Sequence, residues 1–200
     1  RMLDMGASVV AVEPDPALAA HLREWTEPKL AIRNQRFGAE VEGAGAFDLV
    51  VAATAFHWLD SGPALAEVRR LLRPGGHFAM WWNVFHEAGD DPLFDALFEG
   101  LARPPSLVAG PHYSLDAPAR RADLVAAGFT DVTHVMLERH IAMTPASLRA
   151  LYATFSAVRA LPPADRDARL DTAETRAHGT LGASFDRVFR TPLYMARSPG

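Results

Sequence analysis

Four apolar runs of strand length, with helical spacing between them, restrict the first 83 residues of this chain to an alternating α/β arrangement. Val9, Val10 and Val12 form a short continuous run, the pattern of a parallel strand covered on both faces. Asp15-Pro16 reads as an N-cap followed by proline at the first helical position, with Leu18, His21, Leu22 and Trp25 at helical spacing behind it. Leu30-Ala31-Ile32 predicts the next strand, which leads through Asn34, Gln35, Arg36 and Phe37 into Gly38 and a glycine-broken loop ending near Gly45. Phe47 to Thr54 is the strongest strand and runs directly into Phe56-His57-Trp58-Leu59-Asp60. Pro63 opens a helix with Leu65, Val68, Leu71 and Leu72 on one face. Arg73-Pro74-Gly75-Gly76 stops it, and His77 to Trp82 is the following strand. Such an alternation specifies a parallel sheet with helices on both faces.

Beyond Asn83 the pattern changes. Asp91-Pro92 caps a helix carrying Leu93, Phe94, Leu97, Phe98 and Leu101, and a proline-containing loop spans Arg103 to Ser114. Ala119 to Ala127 is helical and is closed by Gly128; Asp131 to His140 is a strand. Thr144-Pro145 starts a helix with Leu148, Leu151, Tyr152, Phe155 and Val158, and Pro162-Pro163 separates it from a polar helix reaching His178. The last strand, Phe185 to Phe189, is interrupted at Pro192 and resumes through Leu193-Tyr194-Met195. That pattern fits a bulge or an edge better than a central position.

Composition narrows the function classes. At 200 residues and 49% hydrophobic the chain supports one sizeable core, read as a single domain over 1–200. A net charge of −4 offers no basic field for nucleic acid and no polybasic membrane patch. The longest apolar stretch, Leu49 to Phe56, is too short to span a bilayer, and the absence of cysteine excludes disulfides, zinc–thiolate sites and thiol nucleophiles. The remaining histidines show no metal-ligand spacing, so no metal is assigned. The cell interior, a cytoplasmic location, is the default compartment.

Glu13 stands at the carboxyl end of the Val9 to Val12 strand. In doubly wound folds a carboxylate there accepts hydrogen bonds from ribose hydroxyls, because ligands bind in the crevice beyond the strand ends. The glycine loop that accompanies such an acid lies about 20 residues before it, which from Glu13 falls upstream of Arg1. The nearby Gly6 reads instead as the C-cap of a preceding helix containing Met2, Leu3 and Met5. The chain therefore reads as an N-terminally truncated piece, with the first strand and the Gly-rich loop missing.

The acid-ended strand Val9 to Pro14, the strand Phe47-Asp48-Leu49-Val50-Val51-Ala52 running into His57-Trp58, the turn Leu71-Leu72-Arg73-Pro74-Gly75-Gly76 and the late pair of strands flanking a helical insertion together resemble the class I S-adenosylmethionine-dependent methyltransferases. The likeness is to the small-molecule branch that includes trans-aconitate methyltransferase-like enzymes. It implies a Rossmann-like, doubly wound, mostly parallel sheet of seven strands with an antiparallel last strand. It also implies S-adenosylmethionine as cofactor and a small molecule as methyl acceptor. Glu13 would hold the ribose hydroxyls, Pro14 and Leu18 would pack near the adenine, and Gly38 and Ala39 would edge the base. Relatives carry an acid where Gly38 stands, and Glu40 is a substitute two residues on. Ala52, Ala53 and Thr54 would line the methionine part.

A hydroxyl or amine acceptor must lose a proton, for which histidine is a suitable base, and His57 is the candidate catalytic base by position. Trp58, Trp82, Tyr113 and Phe155 are the candidate substrate-binding residues, with helical segments 84–115 and 141–183 as a lid. Trp81 and Trp82 alternate on a strand, so only one of them can reach the pocket. Two alternatives stay open: an NAD(P)-dependent Rossmann oxidoreductase, whose ribose acid occupies the same place, and a non-catalytic relic or regulatory domain that keeps the fold. The sequence leaves the oligomeric state unknown.

Overall fold

The structure is a computed structural model, and it describes residues 2–38, 41–85, 92–97, 99 and 112–200. β1 (Val9–Val12), α1 (Pro16–Arg23) and β2 (Leu30–Arg33) form the first unit. α1 starts where Asp15 Oδ1 accepts the backbone N–H groups of Ala17, at 2.7 Å, and Leu18, at 3.1 Å. β1 and β2 pair in parallel, Val9 against Leu30 through Val12 against Arg33.

β3 (Phe47–Ala53), α2 (Ser61–Leu71) and β4 (Leu72–Trp81) form the second parallel unit. Next come α3 (Pro92–Leu97), α4 (Ala117–Ala126), β5 (Thr130–Met143), α5 (Pro145–Tyr152), α6 (Ser156–Arg159), α7 (Pro163–Leu181) and β6 (Phe185–Arg197). The strands make two sheets, β1-β2 and β3-β4-β6-β5, with β6 antiparallel to both of its neighbours. The reversed last strand is thus present, while the described residues supply six strands where seven are expected.

Two cores result. Phe56, Leu65, Val68, Phe78, Met80, Trp82, Leu124, Phe129 and Tyr194 pack between the sheet and helices α2 and α4. Leu93, Phe94, Leu97, Leu148, Tyr152, Val158, Leu170 and Ala177 form a helical second core with Met143. Helix α3 of segment 84–115 and helices α5, α6 and α7 of segment 141–183 therefore share a core, while Val84, Tyr113 and Leu115 pack with the first. α5 is fixed there by a reciprocal cap, in which Thr144 Oγ1 accepts from Ser147 N and Ser147 Oγ accepts from Thr144 N. Arg149 joins it to α7 through Asp171 at 2.8 Å.

Several expectations need correction. Met2 to Gly6 is a turn and not a helix, although Gly6, with φ 88°, still donates its N–H to Leu3 C=O at 2.8 Å. Arg73 to Gly76 lies inside β4. Phe47 pairs with Leu72, a register shift follows, and Gly75 N–H is satisfied by Ser198 C=O at 3.1 Å. β6 is one continuous strand in a central position. Pro192 is tolerated because it falls between the last β4 pair, Trp81 with Leu193, and the isolated bridge of Val84 with Arg190. The helix expected from Asp91 is described only as Pro92–Leu97; Phe98, Leu101 and the loop to 111 lie outside the described residues.

The apolar runs are also less covered than parallel strands usually are. Val50 and Ala52 face the first core, whereas Leu49 and Val51 on the opposite face of β3 are 41% and 38% exposed. Val10 of β1 and Leu18 of α1 are exposed as well. Among the described residues, β1 and β3 each pair with a single neighbour, and the sheet is divided between them.

Close packing at the bulge yields a stability test. A Cβ on Gly76 would lie 3.0 Å from Arg73 O, 3.1 Å from Phe47 O and 3.2 Å from Asp48 O, all backbone atoms that cannot swing aside. Gly76→Ala is expected to destabilise the fold by about 1–3 kcal/mol. Gly179→Ala in α7, where a Cβ meets nothing within 4 Å, is expected to stabilise it by about 0.5–1 kcal/mol. Urea unfolding of both variants measures the two signs.

Candidate functional site

Glu13 sits where β1 ends, held from three sides. Its N–H donates to Arg33 C=O at 3.0 Å, and its Oε1 accepts the Asp15 N–H at 2.8 Å. Asn34 Nδ2 donates to the carbonyls of Glu13 at 2.8 Å and Pro14 at 3.2 Å. Glu13 Oε2 has no hydrogen-bond partner among the described residues. Asn34 is a site residue beyond those expected from the sequence. The signal for it is the parallel pairing itself, since the residue after Arg33 lies beside the residue after Val12.

Pro14 and Leu18 are exposed next to this turn. Gly38 is open, with nothing within 4 Å of the position a Cβ would take, and its carbonyl accepts Val41 N–H at 3.0 Å. Phe37 beside it packs on the first core. Ala39 and Glu40 lie outside the described residues.

At the end of β3, Ala53 and Thr54 are exposed. Thr54 has φ 51°, a left-handed conformation that a β-branched residue adopts at a cost of roughly 1–3 kcal/mol. The strain is held by its N–H bond to Trp81 C=O at 2.7 Å. The chain then folds into a 3₁₀ turn, Phe56–Trp58, whose first side chain is buried in the core and whose next two point elsewhere. The His57 ring is half-buried, and Trp58 is 60% exposed with its ring centroid 4.9 Å from that of His57.

Trp82, just past the end of β4, donates its indole N–H to His57 Nδ1 at 2.9 Å. His57 Nε2 has no partner among the described residues. Burial holds the His57 pKa below its ordinary value. Behind the pair, Trp82 makes edge contacts with Tyr113, at 5.7 Å, and Tyr194, at 6.3 Å. Tyr194 OH donates to Ser114 C=O at 2.6 Å, and desolvation pushes its pKa up to about 12. The Arg120 guanidinium lies 3.6 Å over the Tyr113 ring, and Tyr113 OH is 3.2 Å from Ser61 Oγ.

The structure therefore brings His57, Trp58, Trp82 and Tyr113 together. Phe155 is placed elsewhere: it stacks on Phe85 at 5.8 Å and meets Phe94 and Tyr152 in the second core. Trp82 needs a further correction. At 1% exposure it is a core residue that reaches the site through His57, and it offers no open face as a pocket wall. A cavity of about 600 Å³ does exist between α2 and α4, but its arginines are engaged: Arg69 donates to Ala127 C=O and Arg70 to Glu67. It lies on the helical layer and not at the strand ends, where Glu13, Thr54 and His57 stand. No described helix is long and apolar enough to cross a membrane.

Comparison with known proteins follows the same geography. Residues 1–80 match the family profile described as methyltransferase domain. Uncharacterized methyltransferases of Mycobacterium bovis and Mycobacterium tuberculosis are 34% identical over 87 residues, which is 44% of this chain and 35% of each relative's length. The chain thus spans about a third of the curated relatives it matches. Among solved structures, the YcgJ protein from Bacillus subtilis aligns over 96% of this chain and 82% of its own with TM-score 0.57 at 18% identity. Phosphoethanolamine N-methyltransferase 2 of Haemonchus contortus, in complex with S-adenosyl-L-methionine, aligns over 100% of this chain and 45% of its own with TM-score 0.53 at 12% identity. The [4+2]-cyclase SpnF aligns over 96% and 67% with TM-score 0.55 at 16% identity. One fold thus carries more than one chemistry. The architecture is the Rossmann-like fold of class I methyltransferases, and the methyltransferase-domain match covers the part of it that carries Glu13, Thr54 and His57.

Proposed function

We propose that this chain belongs to an S-adenosylmethionine-dependent methyltransferase acting on a small-molecule acceptor. The observation that carries the reading is Glu13: a strand-end carboxylate with one oxygen locked by Asp15 N–H and the other without a partner among the described residues, within the segment that matches the methyltransferase domain. The exposed, strained Thr54 at the adjacent parallel unit and the open backbone at Gly38 fit a ligand lying across the strand ends.

The cofactor supplies an electrophilic methyl group on a sulfonium. The protein's share is binding, orientation and exclusion of water. Glu13 holds the ribose as a charged acceptor, and Asn34 keeps the Glu13-Pro14 turn from moving. Pro14 and Leu18 supply the apolar bed for the adenine, with Gly38 and Ala39 at its edge. Ala53 and Thr54 floor the methionine part. Trp58, tilted against the His57 ring, offers an aromatic face for the acceptor or the cation, worth about 0.5–2 kcal/mol beside a desolvated positive charge. Tyr113 closes the same side, while the second core that holds Phe155 forms the lid.

The free edges of β1 and β3 among the described residues support one further part of this reading. A parallel strand set between them, with the glycine loop after it, would pair with both edges and join β1-β2 to β3-β4-β6-β5. The 200-residue chain is accordingly expected to bind S-adenosylmethionine at least about tenfold more weakly than a version extended upstream; calorimetric titration of both compares them. In the extended protein Glu13→Ala is expected to weaken cofactor binding by about 1.5–3 kcal/mol, the range for a hydrogen bond to a charged group. An unchanged dissociation constant removes Glu13 from the site.

A further inference from the structure

We propose that His57 works as a hydrogen-bond donor through Nε2, anchoring a negatively polarised oxygen of the acceptor, and not as the base that removes a proton from it; this rests on the methyl-transfer reading above. The argument begins with Trp82. An indole N–H can only donate, so the 2.9 Å bond requires a lone pair on His57 Nδ1. The neutral ring then carries its proton on Nε2, the nitrogen without a partner among the described residues. A ring in that tautomer has no lone pair to offer at its open edge.

Three features keep it so. Trp82 is buried between Tyr113 and Tyr194, and those contacts hold the indole in place behind Nδ1. Trp58 lies against the His57 ring and restricts its plane. Protonating the ring would break the Trp82 bond and place a charge in a half-buried aromatic setting, the same burial that lowers its pKa. Its ring neighbours are Trp58 and Trp82; Arg120, over Tyr113, is paired with Asp123 at 2.9 Å. His57 is therefore neutral near pH 7 and presents a fixed N–H. Such a donor suits a carboxylate or phosphate-type oxygen, which accepts but cannot donate when ionised. Trp82 is the positioning residue behind it.

Nuclear magnetic resonance of ¹⁵N-histidine-labelled protein tests the tautomer without any methyl transfer, so it succeeds or fails independently of cofactor binding. The expected result is a His57 Nε2–H tautomer at pH 7, titrating below about 6.5. An Nδ1–H tautomer, or titration at or above that value, overturns the proposal. Trp82→Phe is expected to raise the midpoint. Because that variant removes a buried side chain, His57→Phe provides a second reading, in which the Trp82 indole N–H resonance loses its hydrogen-bond shift. Acetate is the probe for the anchor. It is expected to move the His57 Nε2–H and Trp58 indole signals saturably, with the Trp58 shift abolished in His57→Phe; an unmoved His57 signal overturns the anchoring role. In turnover, His57→Gln, which keeps a donor, is expected to hold kcat/KM within about threefold and leave its pH profile unchanged, while His57→Phe loses about 10- to 100-fold. Equal losses in the two variants, with an acid limb present only in the parent, would make His57 the base.

Discussion

The long antiparallel pairing of β5 with β6 ties the two halves of the molecule together. Met143 at one end of that pair, with Phe185 and Phe189, packs into the helical second core, while Tyr194 and Ala196 near its other end lie in the first. Because β6 also pairs with β4, from His77 against Arg197 to Trp81 against Leu193, the helical segment is hung from the same strand that buttresses the site. Tyr194 carries this further. Fully buried, at 0% exposure, it supports Trp82 on one side and holds the Ser114 carbonyl on the other.

The site depends on that backing. Strand ends alone place Glu13 and Thr54, but the orientation of His57 is set by a buried indole that the antiparallel strand holds in position. The parallel half lacks comparable support, since α1 buries only Ala19 and the outer faces of β1 and β3 are open. In the proposed methyltransferase the two halves would have different tasks: the β1-to-β3 side would present the cofactor residues, and the β4-to-β6 side would back the acceptor residues.

Much of this was legible in the residues. The Asp15 cap, the parallel β1-β2 and β3-β4 units and the reversed last strand follow from local chemistry and period. The misreadings occur where tertiary pairing outweighs local preference. Pro74, Gly75 and Gly76 carry strong turn propensity, yet they are extended because Gly75 bonds Ser198 and Gly76 fits against three backbone carbonyls. Pro192 signals an interruption, yet it lies in a central strand because the ladder to β4 lapses beside it. Within the site, Glu13, His57 and Trp58 stand out as residue types at strand ends. Asn34 and the Trp82–His57 bond do not, because both depend on which strands become neighbours. Phe155 shows the limit of reading aromatics at helical spacing, since its ring belongs to a packed cluster with Phe85 and Phe94.

A crystal structure of an upstream-extended protein with S-adenosylhomocysteine is the most direct test of the central claim, that ligand chemistry takes place across the β1 and β3 ends. The account predicts a parallel strand between β1 and β3, ribose hydroxyls within hydrogen-bond distance of Glu13, and the amino-acid part over Ala53 and Thr54. Nucleoside density away from Glu13, or a sheet still divided between β1 and β3 in the extended chain, would contradict it.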